Sequence, residues 1–167
     1  MTKWQIGQAL MFQCFWFTSV LGQNRALPVA LLLIGLHFFF SPTKSADVKI
    51  MPIAFIGIGI DLAFTYAGVF EFASWPIWLF VLWFGFSLTL NHSIAKIGQF
   101  PTPAVALFGG CFGTISYLAG WRFNAVEFPF GLFTTALILA TSWALLLPSL
   151  FHLDKTLRRR INASATH

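Results

Sequence analysis

The sequence predicts an all-α membrane protein: a polytopic bundle of six transmembrane helices with both termini on the cytoplasmic side. Of the 167 residues, 57% are hydrophobic and only 9% are charged, whereas a soluble domain carries about 25% charged residues. The apolar residues form runs about as long as a bilayer-spanning helix, roughly 20 residues. Lysine and arginine concentrate in alternate connections between these runs. This composition excludes a soluble enzyme, a nucleic-acid-binding protein and a disordered chain.

Six runs qualify as membrane spans, and they leave no room for a second domain. Six spans of about 20 residues use roughly 120 residues, so we predict a single integral membrane domain over residues 1–167, with a basic cytoplasmic tail at 153–167. The predicted spans are 6–22, 25–41, 48–70, 75–93, 102–121 and 130–152.

Polar and helix-breaking residues separate these spans in order. Proline suits the first turn of a helix, and it stands at or before the start of spans four, five and six. Pro52 and Pro148 fall near the ends of spans three and six, where they predict a kink rather than a break. The separating segments are 23–25, 41–44, 72–76, 99–103 and Pro129.

The orientation follows from the distribution of basic residues, which are enriched in cytoplasmic loops. With the N-terminus in the cytoplasm, eight basic residues lie inside, and only Arg25 and Arg122 lie outside. The eight are Lys3, Lys44, Lys49, Lys96, Lys155, Arg158, Arg159 and Arg160.

Asp61 is the most informative polar residue, because a carboxylate inside a membrane span is costly and usually faces the bundle interior. It lies about 18 Å along the third span from Lys49, at about 1.5 Å per residue. Thr65 follows one turn later on the same face. Two interpretations remain open: Asp61 ties two helices together, or it forms a proton, cation or ligand site.

The fourth span carries Thr89, Asn91 and His92, and the second span carries His37 at a similar depth. Two histidines at one depth can share a proton, a metal or a headgroup phosphate, or each can serve as an interfacial hydrogen-bonding residue. Two ligands are too few for a metal site, and no acidic residue lies near their depth inside the spans. We therefore predict no metal and no cofactor.

The fifth span carries a stripe of small residues, which allows helices to approach closely or leaves room for a ligand. This predicted packing stripe consists of Gly109, Gly113, Ser116 and Gly120. Tyr117 and Arg122 lie towards its outer end. The candidate ligand-binding residues are Asp61, Thr65, Thr89, Asn91, His92, Tyr117 and Arg122, with His37 and Gln13 as second-tier candidates.

Several short motifs resemble an uncharacterised family of small bacterial inner-membrane proteins, classed only as a domain of unknown function. The motifs are Trp75-Pro76, Trp78-Leu79, Leu82-Trp83, Thr89-Leu90-Asn91-His92-Ser93, and Ser116-Tyr117-Leu118-Ala119-Gly120 followed by Arg122. The resemblance implies a multi-pass protein of the bacterial inner membrane, and it implies no activity.

Three classes of function remain open. Asp61 and the polar stripes favour binding or transport of a small apolar or amphipathic molecule, because ionisable residues in spans mark sites. A membrane-embedded enzyme acting on lipids or isoprenoids would use Asp61, Asn91, His92 and Arg122. An accessory subunit would dock a membrane protein partner or a second copy of the chain. Membrane lipids are expected partners in each case, and nucleic acid in none.

Overall fold

The computed structural model describes the backbone of residues 2–164 and the side-chain surroundings of residues 2–156. Every regular element in this part of the chain is helical, which confirms the all-α prediction. The seven α-helices are α1 Lys3–Gly22, α2 Leu27–Phe40, α3 Lys44–Ile50, α4 Ala54–Tyr66, α5 Ile77–Asn91, α6 Thr102–Arg122 and α7 Leu132–Ser164.

Local sequence explains where several helices begin and bend. Thr2 caps α1 through its side chain, which accepts a hydrogen bond from the backbone N–H of Gln5, while the Gln5 side chain accepts one from the backbone N–H of Thr2. This reciprocal arrangement satisfies two N–H groups that helix geometry leaves without partners. Pro52 lies in a short 3₁₀ turn that joins α3 to α4. Pro148 lies inside α7, which continues through the predicted tail to Ser164.

Three helix pairs run antiparallel, namely α1 with α2, α4 with α5 and α6 with α7, whereas α3 continues into α4 through the turn at Pro52. Trp4 at the start of α1 contacts His37 at the end of α2, so these two helices form a hairpin. Asp61 of α4 meets Trp83 of α5 across the next hairpin. The helices α6 and α7 pack along their length, with Gly109 against Leu147.

The bundle therefore has two ends. The Trp4 end contains the start of α1, the ends of α2 and α5, and the start of α3, around Trp4, His37, Asp47 and His92. The Asn24 end contains the opposite connections. There Asn24 donates to the backbone oxygen of Trp75 over 2.8 Å, and Glu71 and Glu127 pair through their backbones.

Helix α5 occupies the centre of the bundle. It packs against α1, α2, α3 and α4, and more than half of its residues are buried. Trp83 of α5 also stacks on Trp143 of α7, with ring centroids 5.4 Å apart and planes 8° from parallel. The buried aromatic core is organised around this stack.

Within the described residues, four helical stretches are long and apolar enough to cross a membrane, where the sequence predicted six spans. These stretches are Lys3–Phe40, Lys44–Tyr66, Thr102–Arg122 and Leu132–Thr156. The first contains both α1 and α2. Helix α5 has 15 residues, or roughly 22 Å at about 1.5 Å per residue, against a hydrocarbon thickness of about 30 Å. Helix α5 is thus shorter than a typical membrane span.

Candidate functional site

A cavity of about 630 Å³ lies between α1, α5, α6 and α7. Its lining is almost entirely apolar and rich in aromatic rings. Four of the lining residues are tryptophans, namely Trp16, Trp78, Trp83 and Trp143. The polar side chains that line it are few: Gln13, Thr89, Ser93, Ser116 and Tyr117. Small-molecule sites share these properties, with volumes of about 300–1,000 Å³, predominantly apolar linings and a few polar groups that fix orientation.

The cavity opens between α1 and α6. The exposed residues of its lining belong to these two helices and to the residue that follows α6: Gln13, Phe17, Phe112, Ile115 and Phe123. A hydrogen bond of 2.9 Å from Trp16 Nε1 to Ser116 Oγ joins the two helices across the opening. Nearer the Asn24 end, Trp16 and Phe17 contact the ring of Phe123. The opening thus faces the side of the bundle, with Gln13 exposed beside it.

The small residues of α6 create the space for this cavity. Gly109, Gly113, Ser116 and Gly120 all line it. Two of the glycines also permit close packing with α7. A Cβ atom at Gly113 would overlap the indole ring of Trp143, and one at Gly109 would lie 2.5 Å from the carbonyl oxygen of Trp143. The stripe therefore both allows α7 to approach α6 closely and leaves room for the cavity, the two roles that the sequence suggested.

Asp61 lies behind the cavity lining and holds two of its aromatic side chains. The Asp61 side chain is 2% exposed and does not itself line the cavity. Trp83 Nε1 donates to Asp61 Oδ2 over 2.5 Å. The Tyr117 hydroxyl lies 2.7 Å from Oδ1 and 2.9 Å from Oδ2. The carboxylate thus connects α4 to α5 and α6 and fixes the orientation of both rings.

Other contacts complete this arrangement. The ring of Tyr117 stacks on Phe70, with centroids 5.2 Å apart. The hydroxyl of Thr65 donates to the backbone oxygen of Asp61 over 2.8 Å, so it is used within α4. Thr89 lines the cavity, but its hydroxyl donates to the backbone oxygen of Phe86. Among the described residues, no lysine or arginine is a hydrogen-bonding or ion-pair partner of Asp61.

The other predicted candidates lie elsewhere. Arg122 is exposed at the end of α6 and does not line the cavity. At the Trp4 end, Asp47 is contacted by His37, Asn91 and His92. Asp47 is not among the candidate residues predicted from the sequence. His37 Nε2 lies 3.2 Å from Asp47 Oδ2, and His92 Nε2 lies 2.8 Å from Oδ1. Asn91 Nδ2 donates to Oδ1 over 2.5 Å, and the Ser41 hydroxyl donates to Oδ2.

The expectation that no acidic residue lies at the depth of the two histidines was therefore wrong. The predicted third span begins at residue 48, which leaves Asp47 in the connection before it. In the structure helix α3 begins at Lys44 and includes Asp47. The tight turn after Ser41 brings α3 back against the end of α2, so Asp47 is fully buried. The available signal was an acidic residue ten positions after His37, across a proline-containing turn.

Trp83 and Trp4 also have roles that the sequence did not reveal. In the structure each uses its indole N–H as a donor, Trp83 to Asp61 and Trp4 to His92.

These features define a class: small all-α proteins of membrane-spanning composition whose helices surround an aromatic cavity open at the side. The chain belongs to the family described as Protein of unknown function (DUF2878), which matches residues 5–149. The match includes every residue that lines the cavity. Comparisons with curated proteins and with solved structures found no match. The family membership that the sequence motifs suggested is thereby confirmed.

Proposed function

We propose that this protein is a multi-pass protein of a bacterial inner membrane that binds a small apolar or amphipathic molecule in the cavity between α1, α5, α6 and α7. The observation that carries the proposal is the cavity itself: about 630 Å³, lined by aromatic rings and open at the side of the bundle. In a bilayer, such an opening faces acyl chains, so the ligand enters from the membrane.

The lining favours binding over catalysis. None of the ionisable residues considered for an enzyme lines the cavity: Asp61 lies behind it, His92 lies at the Trp4 end and Arg122 is exposed. General acid–base catalysis requires such a group within hydrogen-bond reach of the reacting atom. An open cavity also fits a ligand better than an accessory role, for which a closed and dry bundle suffices.

The proposed topology has six membrane-embedded segments with both termini in the cytoplasm. The two ends of the bundle support it. Five of the basic residues assigned to the cytoplasm, Lys3, Lys44, Lys49, Lys96 and Lys155, belong to the segments at the Trp4 end, where Lys155 donates to the backbone oxygen of Gly98. Arg25 and Arg122 belong to the Asn24 end. The Trp4 end is the cytoplasmic end, because basic residues are retained there.

The experiment compares two alanine-to-phenylalanine variants with the wild-type protein. Ala9 of α1 lines the cavity, whereas Ala63 of α4 is exposed and does not. Each protein is purified in mild detergent, and the molecules that it retains are extracted and quantified by mass spectrometry. We expect the wild-type protein and Ala63→Phe to retain the same apolar or amphipathic molecule in a fixed ratio to protein, and Ala9→Phe to lose most of it.

Melting temperatures verify that both variants are folded. Equal retention by the folded variants would overturn the proposed site. Absence of any molecule at a fixed ratio in the wild-type protein would overturn the proposed function.

A further inference from the structure

The buried cluster at the Trp4 end contains side chains of a type that also bind metals. One ligand atom from each of His37, Asp47 and His92 can be chosen so that all three lie within 4.8 Å of one another, and all three residues are buried. None of them lines the cavity. The hydrogen bonds around the cluster decide what it can bind.

The proton position on His92 is fixed by Trp4. Trp4 Nε1 lies 2.9 Å from His92 Nδ1, and an indole N–H can only donate. His92 Nδ1 therefore carries no proton, and the proton of the neutral ring lies on Nε2. From there it is donated to Asp47 Oδ1 over 2.8 Å.

This tautomer is unsuited to metal binding. A ring nitrogen that carries a proton has no lone pair for a metal ion. A metal-bound histidine also normally donates its second N–H to a neighbouring acceptor, whereas His92 accepts a hydrogen bond at that nitrogen. In an imidazolium both nitrogens are donors, so a proton on His92 Nδ1 would face the N–H of Trp4 and remove this hydrogen bond.

Asp47 is surrounded by donors. Both of its oxygens accept two hydrogen bonds, from His92 and Asn91 at Oδ1 and from His37 and Ser41 at Oδ2. Four donors match the four acceptor positions of an ionised carboxylate. Its Asn91, Ser41 and His92 partners are neutral, so His37 is the one contacting group that can supply a positive charge.

The lysines on and next to the surrounding helices are exposed, unlike the buried cluster. The side chains that face His37 are Asp47 from α3 and His92 from α5, with the uncharged Trp4 from α1. Lys3 on α1, Lys44 and Lys49 on α3, and Lys96 after α5 are all exposed. None of these lysines forms an ion pair with Asp47 in the described part of the chain.

We propose that this cluster is a proton-binding site, in which His37 takes up the proton, Asp47 is its counter-ion and Trp4 holds His92 neutral. A second proton, on His37 Nδ1, gives the ring a positive charge and turns its contact with the ionised Asp47 into an ion pair between α2 and α3. The proton comes from water at the end of the bundle. The proposal does not depend on the cavity or on its ligand.

The test follows the ring nitrogens of isotope-labelled histidine by NMR in detergent, from about pH 8 to about pH 5, where histidine ordinarily changes charge. His37→Gln and His92→Gln assign the signals. We expect His37 to carry protons on both nitrogens at the acid end, and His92 to keep an unprotonated Nδ1 throughout. In Trp4→Phe, which removes the donor, His92 also takes up a second proton.

Four results would overturn the proposal. The first is a neutral His37 over the whole range in folded protein, and the second is double protonation of His92 while Trp4 is present. The third is a shift of both Nε2 signals on addition of zinc ion, which would show a metal site. The fourth is a His92 that stays neutral in folded Trp4→Phe, which would show that Trp4 does not hold it neutral.

Discussion

Tyr117 directs its hydroxyl group at both carboxylate oxygens of Asp61, at 2.7 Å and 2.9 Å. The tyrosine belongs to α6 and lines the cavity, while the aspartate belongs to α4 and does not. A buried carboxylate without hydrogen-bond partners would be costly among apolar side chains. Here the Tyr117 hydroxyl is such a partner, and Asp61 in turn holds the Tyr117 ring in position. Because Trp83 of α5 is the second donor, one carboxylate sets the positions of three helices around the cavity.

The first prediction concerns Asp61. Asparagine can replace the carboxylate, because its oxygen can accept from Trp83 and its amide can donate to the Tyr117 oxygen. Alanine leaves both donors without a partner, at a cost of about 1–3 kcal/mol for each one that stays buried. We expect Asp61→Ala to lower the melting temperature strongly and Asp61→Asn only slightly. Equal melting temperatures would show that these hydrogen bonds do not hold the helices.

The same pair of variants separates positioning from direct binding. If Asp61 acts by holding Trp83 and Tyr117, folded Asp61→Asn retains the ligand that co-purifies with the wild-type protein. Complete loss of the ligand from folded Asp61→Asn would instead indicate that the carboxylate itself binds it as an ion or proton acceptor.

The second prediction concerns close packing of α6 on α7. A Cβ atom at Gly113 would overlap the ring of Trp143, whereas a Cβ atom at Gly59, an exposed position on α4, would meet nothing within 4 Å. Overpacking of an interior costs about 1–3 kcal/mol. We expect Gly113→Leu to melt well below the wild-type protein, and the matched Gly59→Leu to melt near it. If both variants melted alike, the α6–α7 contact would not be close-packed at this glycine.

The third prediction concerns topology. Reporter fusions at Ala73 and Asn124, in segments at the Asn24 end, should report the outside of the membrane. Fusions at Thr43 and Gln99, in segments at the Trp4 end, should report the cytoplasm. A fusion at Ala165, which lies outside the described residues, should also report the cytoplasm. A signal from outside at Ala165 would contradict an even number of crossings.

The sequence predicts the all-α class correctly, because a helix satisfies the backbone hydrogen bonds of a long apolar run within the run itself. It places Asp61, Tyr117 and the glycine stripe among the candidates because polar and small residues in such runs need a specific neighbour. The partners of those residues are not predictable in the same way. Trp83 lies 22 positions from Asp61, and only the packing of α4 against α5 brings them together.

The cluster at the Trp4 end shows the same limit more strongly. His92 is predicted as a candidate from its place in the fourth span and the depth it shares with His37, but its partners Trp4 and Asp47 lie on other helices, 88 and 45 positions away. The roles of Trp4 and Asp47 depend on which ring nitrogen of His92 each contacts, Nδ1 for Trp4 and Nε2 for Asp47. The glycine stripe of α6 indicated room for a ligand, but the position of the cavity was not predicted, because it also depends on where α1, α5 and α7 lie around α6.

The central claim, that an apolar molecule enters the cavity from the bilayer, is tested most directly by quenching of tryptophan fluorescence with a brominated acyl chain. Trp83 and Trp143 line the cavity, yet they are only 4% and 8% exposed. A bromine atom must come almost into contact with an indole ring to quench its fluorescence. A brominated chain that stays outside the bundle therefore does not quench Trp83 and Trp143. We expect quenching that saturates as the chain is added to the wild-type protein and to Ala63→Phe, and loss of the saturable part in Ala9→Phe. Identical, non-saturating quenching in all three proteins would contradict the account.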